Sequence, residues 1–503
     1  MNTIVAISTP PGVGGIAVVR LSGPDAFAIA DKIWQGTPLS NASSHTAHLG
    51  IITDSDGDML DQAVATVFAE NRSFTGEPTV EFSVHGSRWI QRRVVERLIE
   101  AGASAAGAGE FTQRAFLNGR LDLAQAEAVA DMIAASSKAS QRLAATQMKG
   151  NFSRRLNQLR DSMIDIASLL ELELDFSEED VEFADRSRLL EMTRSTRDEI
   201  ARLADSFHAG RALKEGVAVV IAGKPNAGKS TLLNHLLQDD KAIVSDIAGT
   251  TRDIIEDTTE INGILFRFID TAGIRESDDH IERIGVDRAR QALTKADILL
   301  WLTDPNDPAE LPTDIPEGLP TLILETKADC NEPAKQAKSA GASEQAKSAE
   351  PAMQAKSAEP AMQAKSAEAA MQAKSAEPAM QAKSVKASIL TSSSNPEKHP
   401  KIIKISAKTG LGIPILLKCL TELAESGTDT SSDLIVTNAR HYESLMRAIE
   451  SLKRVEQSLT EGLPADLTAQ DLREAIHHLG TITGAITPAD LLQTIFSRFC
   501  IGK

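Results

Sequence analysis

The sequence has little cysteine, no excess of basic residues and no long apolar run, and each absence excludes a class of protein. The three cysteines, Cys330, Cys419 and Cys500, are an odd number without a CxxC pair, which excludes a disulfide framework and favours a reducing compartment. The 53 Lys and Arg against 70 Asp and Glu give a net charge of −17, which argues against a globally basic nucleic-acid coat but is compatible with a local basic patch. Since no apolar run reaches about 18 residues and the N-terminus lacks a secretory pattern, we expect a cytoplasmic protein without a transmembrane helix.

Changes in composition and in hydrophobic periodicity divide the chain into segments. At roughly 150 residues per domain, its 503 residues suggest about three domains. Residues 1–118 combine strand-like and helical patterns and predict a small α+β domain, whereas residues 216–427 alternate short apolar runs with helical stretches, as buried parallel strands and their helices do. Residues 119–215 and 428–503 are both helical in pattern, so we expect one discontinuous helical domain into which the α/β domain is inserted.

Two stretches of the chain leave an alternative open. Apolar residues from Phe152 to Leu170 recur at alternating steps of three and four, which predicts the core of a helical bundle, with a dimerising coiled coil as the alternative. Within residues 331–400 the sequence QAKSAEPAM recurs with a nine-residue period, and Pro351 and Pro360 interrupt any helix. Because this stretch has few large apolar residues, we predict a disordered surface insertion, with frayed helical pieces as the alternative.

The most specific local motif lies between an apolar strand-like run and a helical stretch. Residues 223–230, GKPNAGKS, match GxxxxGK[ST] directly after GVAVVIA. In such a loop the glycines let backbone N–H groups converge on phosphate oxygens, and the N-terminus of the following helix adds partial positive charge. Lys229 would contact the β- and γ-phosphates, and Ser230 would offer its hydroxyl to Mg²⁺.

Four further motifs predict that the nucleotide is GTP. Residues 326–329, TKAD, resemble the guanine signature [NT]KxD, in which the Asp329 carboxylate accepts hydrogen bonds from guanine N1–H and N2–H. Residues 406–408, SAK, resemble the second base loop, Asp270 of a DTAG motif would reach Mg²⁺ through water, and residues 249–253 supply a switch threonine. The predicted GTP-binding residues are Asn226, Ala227, Gly228, Lys229, Ser230, Thr231, Ser245, Asp246, Ile247, Ala248, Gly249, Thr250, Thr251, Asp270, Thr271, Ala272, Gly273, Thr326, Lys327, Ala328, Asp329, Ser406, Ala407 and Lys408.

Two positions depart from the usual GTPase pattern. Thr326 stands where the base signature usually has Asn, and we expect this to weaken the latch between the base loop and the phosphate loop. The DTAG motif is followed by Ile274-Arg275-Glu276, so the Gln that orients water in Ras-type enzymes is missing. Another residue must therefore position the water, and another cation must replace the arginine finger.

The motifs and several longer segments together resemble the MnmE (TrmE) family of bacterial and organellar tRNA-modification GTPases. The N-terminal segments are TPPGVGGIAVVRLSGP, SFTGEPTVEFSVHG and GEFTQRAFLNGRLDLAQAEAVADMI; the others are GKPNAGKST, DIAGTTRD, DTAGIRES, IERIGVDRA and FCIGK. Era- and Der-like GTPases share the nucleotide motifs but lack the N-terminal segments and FCIGK. The resemblance covers nearly all of the chain outside residues 331–400, and it implies an N-terminal α+β folate-binding domain, a helical bundle domain and an inserted Ras-like P-loop G domain.

The resemblance implies a second site, for 5-formyl- or 5,10-methylene-tetrahydrofolate, in an N-terminal domain that also mediates homodimerisation. The positions of this chain that match the folate-binding residues are Arg20, Glu81, Arg120 and Lys503. Cys500 lies by the folate pocket in this family, and a catalytic role for it is a conjecture.

The resemblance also implies that GTP hydrolysis depends on K⁺ and on pairing of two G domains across their switches. The residues that match the metal ligands are Asn226, Ser245, Ile247 and Thr250 for K⁺, and Ser230 and Thr251 for Mg²⁺. A K⁺ ion near the β–γ bridge neutralises charge that develops in the transition state, as an arginine does elsewhere. Glu282 matches the residue that orients the attacking water through a second water, so Glu282, Lys229 and Cys500 are the candidate catalytic residues.

Such an enzyme acts with the flavoprotein MnmG (GidA) and uses a folate one-carbon unit. It converts C5 of the wobble uridine, U34, of certain tRNAs to an aminomethyl or carboxymethylaminomethyl derivative. Two other classes stay open from the sequence: a ribosome-assembly GTPase that binds RNA without folate, and a G-protein scaffold without catalysis.

Overall fold

The computed structural model describes residues 2–175, 186–238, 256–270, 292–308, 310–312, 315–330, 401–426, 434–486, 489–497, 499 and 501–502. The chain divides into two compact units, one of Met1–Ala328 with Lys401–Lys503 and one of Asp329–Pro400. Only residues 329 and 330 of the second unit are described, within a short 3₁₀ turn, Ala328–Cys330. The predicted disordered insertion, residues 331–400, lies outside the described residues. None of the helices described is both long enough and apolar enough to cross a membrane.

The N-terminal part is a seven-stranded sheet whose strands are mostly antiparallel. In chain order the strands are β1 Ile4–Ile7, β2 Gly14–Ser22, β3 Trp34–Gln35, β4 Thr46–Thr53, β5 Met59–Phe68, β6 Thr79–Gly86 and β7 Ser104–Ala105, and they lie side by side as β3-β4-β5-β6-β2-β1-β7. Helices α1, Ala26–Asp31, and α2, Arg88–Glu100, pack on this sheet. Alternate residues of β5, among them Ala63 and Ala65, share a core with Phe82 and Leu98, as the two-residue period of a strand requires.

The helical part combines helices from both sides of the α/β part. They are α3 Glu110–Leu117, α4 Leu123–Ala134, α5 Lys138–Met148, α6 Asn151–Asp175, α7 Arg186–Asp205, α8 Phe207–Glu215, α11 Ala439–Glu461, α12 Ala465–Thr483 and α13 Ala489–Phe496. The apolar stripe from Phe152 to Leu170 on α6 is buried in one core with Leu452 of α11 and Leu479 of α12. The bundle-core interpretation of this stripe is therefore confirmed, while the exact domain boundaries stay predictions.

A buried ionic cluster joins the two segments of the helical part. Nε and Nη2 of Arg440 donate to the two carboxylate oxygens of Glu127 at 3.0 and 2.9 Å, and Nε2 of His441 lies 2.7 Å from the same carboxylate. The His441 ring also stacks on Phe152, with centroids 5.5 Å apart. Because Glu127 lies on α4 and its partners lie on α11, the cluster fixes the N-terminal segment of the bundle to the C-terminal one.

The α/β part is a six-stranded sheet with the order β13-β12-β11-β8-β10-β9. Its strands are β8 Val217–Gly223, β9 Glu256–Ile261, β10 Ile264–Asp270, β11 Ile298–Thr303, β12 Thr321–Glu325 and β13 Lys401–Lys404, all parallel to their neighbours except β9. Its described helices include α9 Lys229–Gln238 and α10 Ile413–Glu425. Val219, Ile221 and Leu300 are wholly buried at its centre. The predicted fold class, with an α+β part, a helical part and an α/β part, is confirmed.

A single residue connects the helical part to the central strand of this sheet. Helix α8 ends at Glu215 and β8 begins at Val217, with only Gly216 between them. Gly216 has φ +94°, a conformation that favours glycine, and its carbonyl accepts a 3.2 Å hydrogen bond from Nε of Arg267.

Candidate functional site

The phosphate-loop motif lies between the carboxyl end of β8 and the first turn of α9. A Cβ on Gly223 would come within 2.4 Å of the Leu302 carbonyl oxygen, so only glycine lets the loop leave the sheet at this point. Asn226 and Gly228 have φ of +61° and +93°, and such left-handed residues turn successive backbone N–H groups toward one concave side. The loop therefore has the backbone geometry of an anion-binding site at the start of a helix.

The Lys229 ammonium group lies inside this loop. Nζ donates to the carbonyl oxygens of Gly223 and Lys224, each at 2.8 Å, and the residue is only 8% exposed. Ser230 and Asn226, by contrast, are exposed, and Ser230 stands in the first turn of α9. The loop thus presents one held cation together with a free-facing hydroxyl and an amide, the donor types that a phosphate and hard cations require.

The first base loop follows β12 and begins with the buried Thr326. Its N–H and its hydroxyl donate to the Thr303 carbonyl oxygen, at 2.9 and 3.3 Å. The Thr326 hydroxyl makes no hydrogen bond to the phosphate loop within the part of the chain that the structure describes. The two base loops meet through the Ala328 N–H, which donates to the Ile405 carbonyl at 3.1 Å, directly before the buried Ser406.

A loop that sequence reasoning missed contacts both the phosphate loop and the first base loop. This loop, residues 304–308, follows β11, and its Asp307 carboxylate accepts from Nζ of Lys224 at 2.5 Å. Its Asp304 carboxylate accepts from Nζ of Lys327 at 2.6 Å, and this bond lowers the pKa of Asp304. The repeated acids in TDPNDP, directly after an apolar strand, were the available signal.

Part of the predicted set of nucleotide and metal residues lies outside the described residues. Those outside the described residues are Ser245, Asp246, Ile247, Ala248, Gly249, Thr250, Thr251, Thr271, Ala272, Gly273 and Glu282. The backbone of Asp270 ends β10 and pairs with Ile221 of β8, which brings the DTAG motif to the edge of the sheet that carries the phosphate loop. Among the described residues, no group of three or more His, Cys, Asp or Glu side chains is arranged to hold a metal ion.

The second predicted site centres on Arg20 of β2 and Glu81 of β6, which are direct cross-strand partners. Nε of Arg20 donates to Oε1 of Glu81 at 2.8 Å, and the two side chains are 15% and 26% exposed. The guanidinium also lies 5.6 Å from the ring centroids of Phe74 and Phe111, at cation–π distance. The exposed Arg120 lies near this pair, because its side chain packs beside Gly76. Gly76 follows Phe74 by two residues in the sequence.

The C-terminal residues lie against the start of this N-terminal sheet. The Ser8 hydroxyl donates to the Gly502 carbonyl at 3.0 Å, and Ile501 forms an antiparallel bridge with Ala108. A Cβ on Gly502 would lie 2.1 Å from the Ile7 carbonyl oxygen, so the backbones meet in close contact. Cys500 and Lys503, the predicted residues of this tail, lie outside the described residues.

Comparisons with known proteins agree along the whole chain. The family model of the GTP-binding protein TrmE N-terminus matches residues 3–120, and that of the MnmE helical domain matches residues 123–500. The chain is 45% identical to the tRNA modification GTPase MnmE of Parabacteroides distasonis, with 100% of both chains covered. It is 44% identical to that of Cytophaga hutchinsonii, with 100% of this chain and 98% of the relative covered. A solved structure of Era from Aquifex aeolicus, bound to GDP and AlF4⁻, is 25% identical over 46% of this chain and 66% of its own, with a TM-score of 0.24.

Proposed function

Since the chain belongs to the MnmE family of tRNA modification GTPases, we propose that it modifies the wobble uridine, U34, of certain tRNAs together with an MnmG-type flavoprotein in the cytoplasm. Membership makes the chain a GTP-binding GTP hydrolase that acts in tRNA modification, which favours this function over a scaffold or a ribosome-assembly factor. The proposed reaction places an aminomethyl or carboxymethylaminomethyl group on C5 of this uridine. A tetrahydrofolate provides the one-carbon unit, and GTP hydrolysis drives conformational cycling of a homodimer.

The geometry of the phosphate loop supports the GTPase half of the proposal. Lys229 is held inside the loop by two backbone carbonyls, which fix its ammonium within the phosphate loop. Electrostatic groups that need no rearrangement contribute most to phosphoryl transfer. In the proposed site Asp329 selects guanine, and Glu282 orients the water that attacks the γ-phosphate.

Two residues of the described loop fit the proposed cations. The Ser230 hydroxyl, in the first turn of α9, would hold Mg²⁺ with Thr251, and the exposed Asn226 amide would hold K⁺ with backbone groups of the loop at Ser245, Ile247 and Thr250. Oxygen donors of this kind suit both ions. When bound, the two ions would supply positive charge to the β- and γ-phosphates during hydrolysis, which accounts for the missing arginine finger.

The single observation that carries the proposed folate chemistry is the Arg20–Glu81 pair on the N-terminal sheet. A half-buried ion pair between two aromatic rings is costly to desolvate unless it serves a ligand or a specific fold. A pterin ring offers N–H donors to Glu81 and a flat face to the exposed Phe74, whereas the Phe111 ring is fully buried. The carboxylates of the folate tail suit Arg120 and, at the end of the chain, Lys503, and Cys500 would lie beside the reacting carbon.

Binding of 5-formyl-tetrahydrofolate to the full chain, measured by isothermal titration calorimetry, tests this site. We expect Arg20→Gln and Glu81→Gln to weaken binding by roughly tenfold to a hundredfold, the equivalent of one charged hydrogen bond, without changing GTP affinity. Arg88→Gln, an exposed arginine next to the same sheet, is the matched control and should bind as the wild type does. If the wild-type chain does not bind this folate, the assignment of a folate site is wrong.

Two further measurements test the rest of the proposal. In a strain that lacks the chain, mass spectrometry of tRNA nucleosides should show loss of the C5-modified wobble uridine, and a gene for the intact chain should restore it. GTP turnover should be faster in KCl than in NaCl at equal ionic strength. Equal turnover in the two salts would contradict the role of K⁺ while leaving the folate site untouched.

A further inference from the structure

A stretch of the helical part is depleted of acidic residues in an otherwise acidic chain. Residues 132–160, between Asp131 and Asp161, contain six Lys or Arg and no Asp or Glu. With 70 acids in 503 residues, about four would be expected in a stretch of this length. The stretch includes the whole of α5 and the first turns of α6.

Three of these cations lie on one face of α5. At 3.6 residues per turn, Lys138, Arg142 and the C-cap residue Lys149 fall within about 40° of one another around the helix axis, along a line of roughly 16 Å. All three are exposed. Ser140 and Ala144 are buried on the opposite face of the helix, and the stem of Lys138 lies beside Gly263. We name Lys138, Arg142 and Lys149 the α5 stripe.

No acid in the described part of the chain neutralises the charges of the α5 stripe. None of the three residues forms an ion pair with an acid in the part of the chain that the structure describes. Neighbouring cations behave differently, since Lys214 pairs with Asp131 at 2.7 Å and Arg155 pairs with Glu199. The α5 stripe therefore keeps its full charge available to a partner.

Two of the three cations stand where helix electrostatics disfavour them. Lys138 is the first residue of α5, where the helix dipole disfavours a cation, and Arg142 follows it at the i+4 position, where like charges repel. Local rules of stability are broken in this way most often where a function requires the residues. Lys149, at the C-cap, is instead favoured by the helix dipole. Two unfavourably placed cations, in a row that pairs with no acid among the described residues, point to an anionic ligand.

We propose that the α5 stripe binds the phosphate backbone of the tRNA substrate, an inference that rests on the proposed function. Small or flexible side chains, Gln141 and Ala145, lie next to the cations, and such a surface can contact phosphates without reading bases. A contact with an acidic protein is less favoured, because α5 carries no aromatic side chain and its large exposed apolar residue is a single methionine, Met148. The N-terminus of α5 also contacts the α/β part, because the Ala139 N–H donates to the Gly263 carbonyl at 2.9 Å. RNA on the stripe would thus lie beside the α/β part, at the edge of its sheet opposite the phosphate loop.

The test compares tRNA binding of the full wild-type chain with that of a stripe variant, Lys138→Gln with Arg142→Gln and Lys149→Gln. Binding of unfractionated tRNA is measured by fluorescence anisotropy over a range of KCl concentrations. Each phosphate contact contributes roughly one unit to the slope of log affinity against log salt, so the slope should fall by about two to three in the stripe variant. Affinity at low salt should fall at least tenfold, while GTP turnover without tRNA stays at the wild-type rate.

Two matched variants separate the surface from net charge and from folding. The charge control changes three exposed cations elsewhere, Lys418, Lys453 and Arg473, to glutamine and should keep the wild-type slope. The charge-retaining variant Lys138→Arg with Arg142→Lys and Lys149→Arg should also keep it.

Each contrary outcome has a distinct meaning. Equal losses in the stripe variant and the charge control would overturn the proposal in favour of a net-charge effect. If the wild-type chain binds tRNA and the stripe variant has the same affinity and salt slope, the role of the α5 stripe is overturned. The proposed function is not affected by that result. A wild-type chain that binds no tRNA at any salt concentration would contradict direct tRNA binding in the proposed function, and the stripe with it.

Discussion

Replacing Glu127 by glutamine tests whether the buried ionic cluster holds the two segments of the helical bundle together. The carboxylate accepts hydrogen bonds from Arg440 and contacts His441, across 313 and 314 residues of chain. Glu127 is 8% exposed and His441 is 1% exposed. Glu127→Gln removes the negative charge but nearly preserves the volume, so the Arg440 guanidinium loses its counter-ion without a cavity being formed.

The pKa of Glu127 indicates how much the ionic cluster contributes to the free energy of unfolding. Burial alone would raise it, but the attraction of His441 and the hydrogen bonds of both partners outweigh burial and lower the pKa from 4.5 to about 2. That difference corresponds to about 3 kcal/mol of unfolding free energy, close to the roughly 3–5 kcal/mol lost when one partner of a buried pair is removed. Because the folded-state pKa is the lower one, the contribution is complete above pH 4.5 and is lost as the pH falls from 4.5 toward 2.

The assay is thermal unfolding of the full chain by far-UV circular dichroism at pH 7, with hydrogen exchange of α4 and α11 peptides read by mass spectrometry. We expect the midpoint temperature of the helical transition to be roughly 6–12 °C lower in Glu127→Gln than in the wild type, and we expect faster hydrogen exchange in both helices. Glu443→Gln is the control on the same helix, since Glu443 pairs with Arg447 at the surface and contributes at most about 0.5 kcal/mol. A shift for Glu127→Gln no larger than that of Glu443→Gln would refute the reasoning.

Four further substitutions test the nucleotide site, with binding measured by a fluorescent GTP analogue and turnover by phosphate release. Lys229→Ala should weaken GTP binding by at least about a hundredfold, because charged hydrogen bonds to phosphate are lost; near wild-type affinity would exclude its role. Asp329→Asn should shift preference from GTP to XTP, and retained guanine selectivity would argue against the base assignment. Glu282→Ala should keep GTP affinity but slow hydrolysis roughly a hundredfold, and unchanged turnover would remove it from the mechanism. Asp304→Asn should weaken GTP binding about fivefold by releasing Lys327, whereas an unaltered affinity would mean that the pair is incidental.

The elements whose apolar residues recur with the period of a strand or a helix could be predicted from the sequence. The run GVAVVIAG became the buried strand β8, and the three-and-four spacing from Phe152 to Leu170 became the buried face of α6, because both periods report burial directly. The phosphate loop was equally accessible, since its glycines and Lys229 must stand at fixed offsets between a strand and a helix.

The contacts that join distant segments could not be predicted from the sequence. Nothing local to Glu127 indicates a partner more than 300 residues away, and one of two acids in an Ala-rich helix resembles an ordinary surface residue. The bonds from loop 304–308 to Lys224 and Lys327 depend on where three strands end in the sheet, which only the strand order determines. The α5 stripe was within reach of sequence analysis, as an acid-free stretch, but its exposure was not.

The one-residue connection at Gly216 has a mechanical consequence. With no slack between α8 and β8, a displacement of the phosphate-loop strand along its axis must either move the helix with it or be absorbed by two backbone dihedrals. The Gly216 carbonyl accepts a hydrogen bond from Arg267, which restricts rotation about the two Gly216 dihedrals. A displacement generated where the nucleotide is cleaved therefore reaches the bundle directly through α8, and the hydrogen bond from Ala139 to Gly263 gives the two parts a second contact.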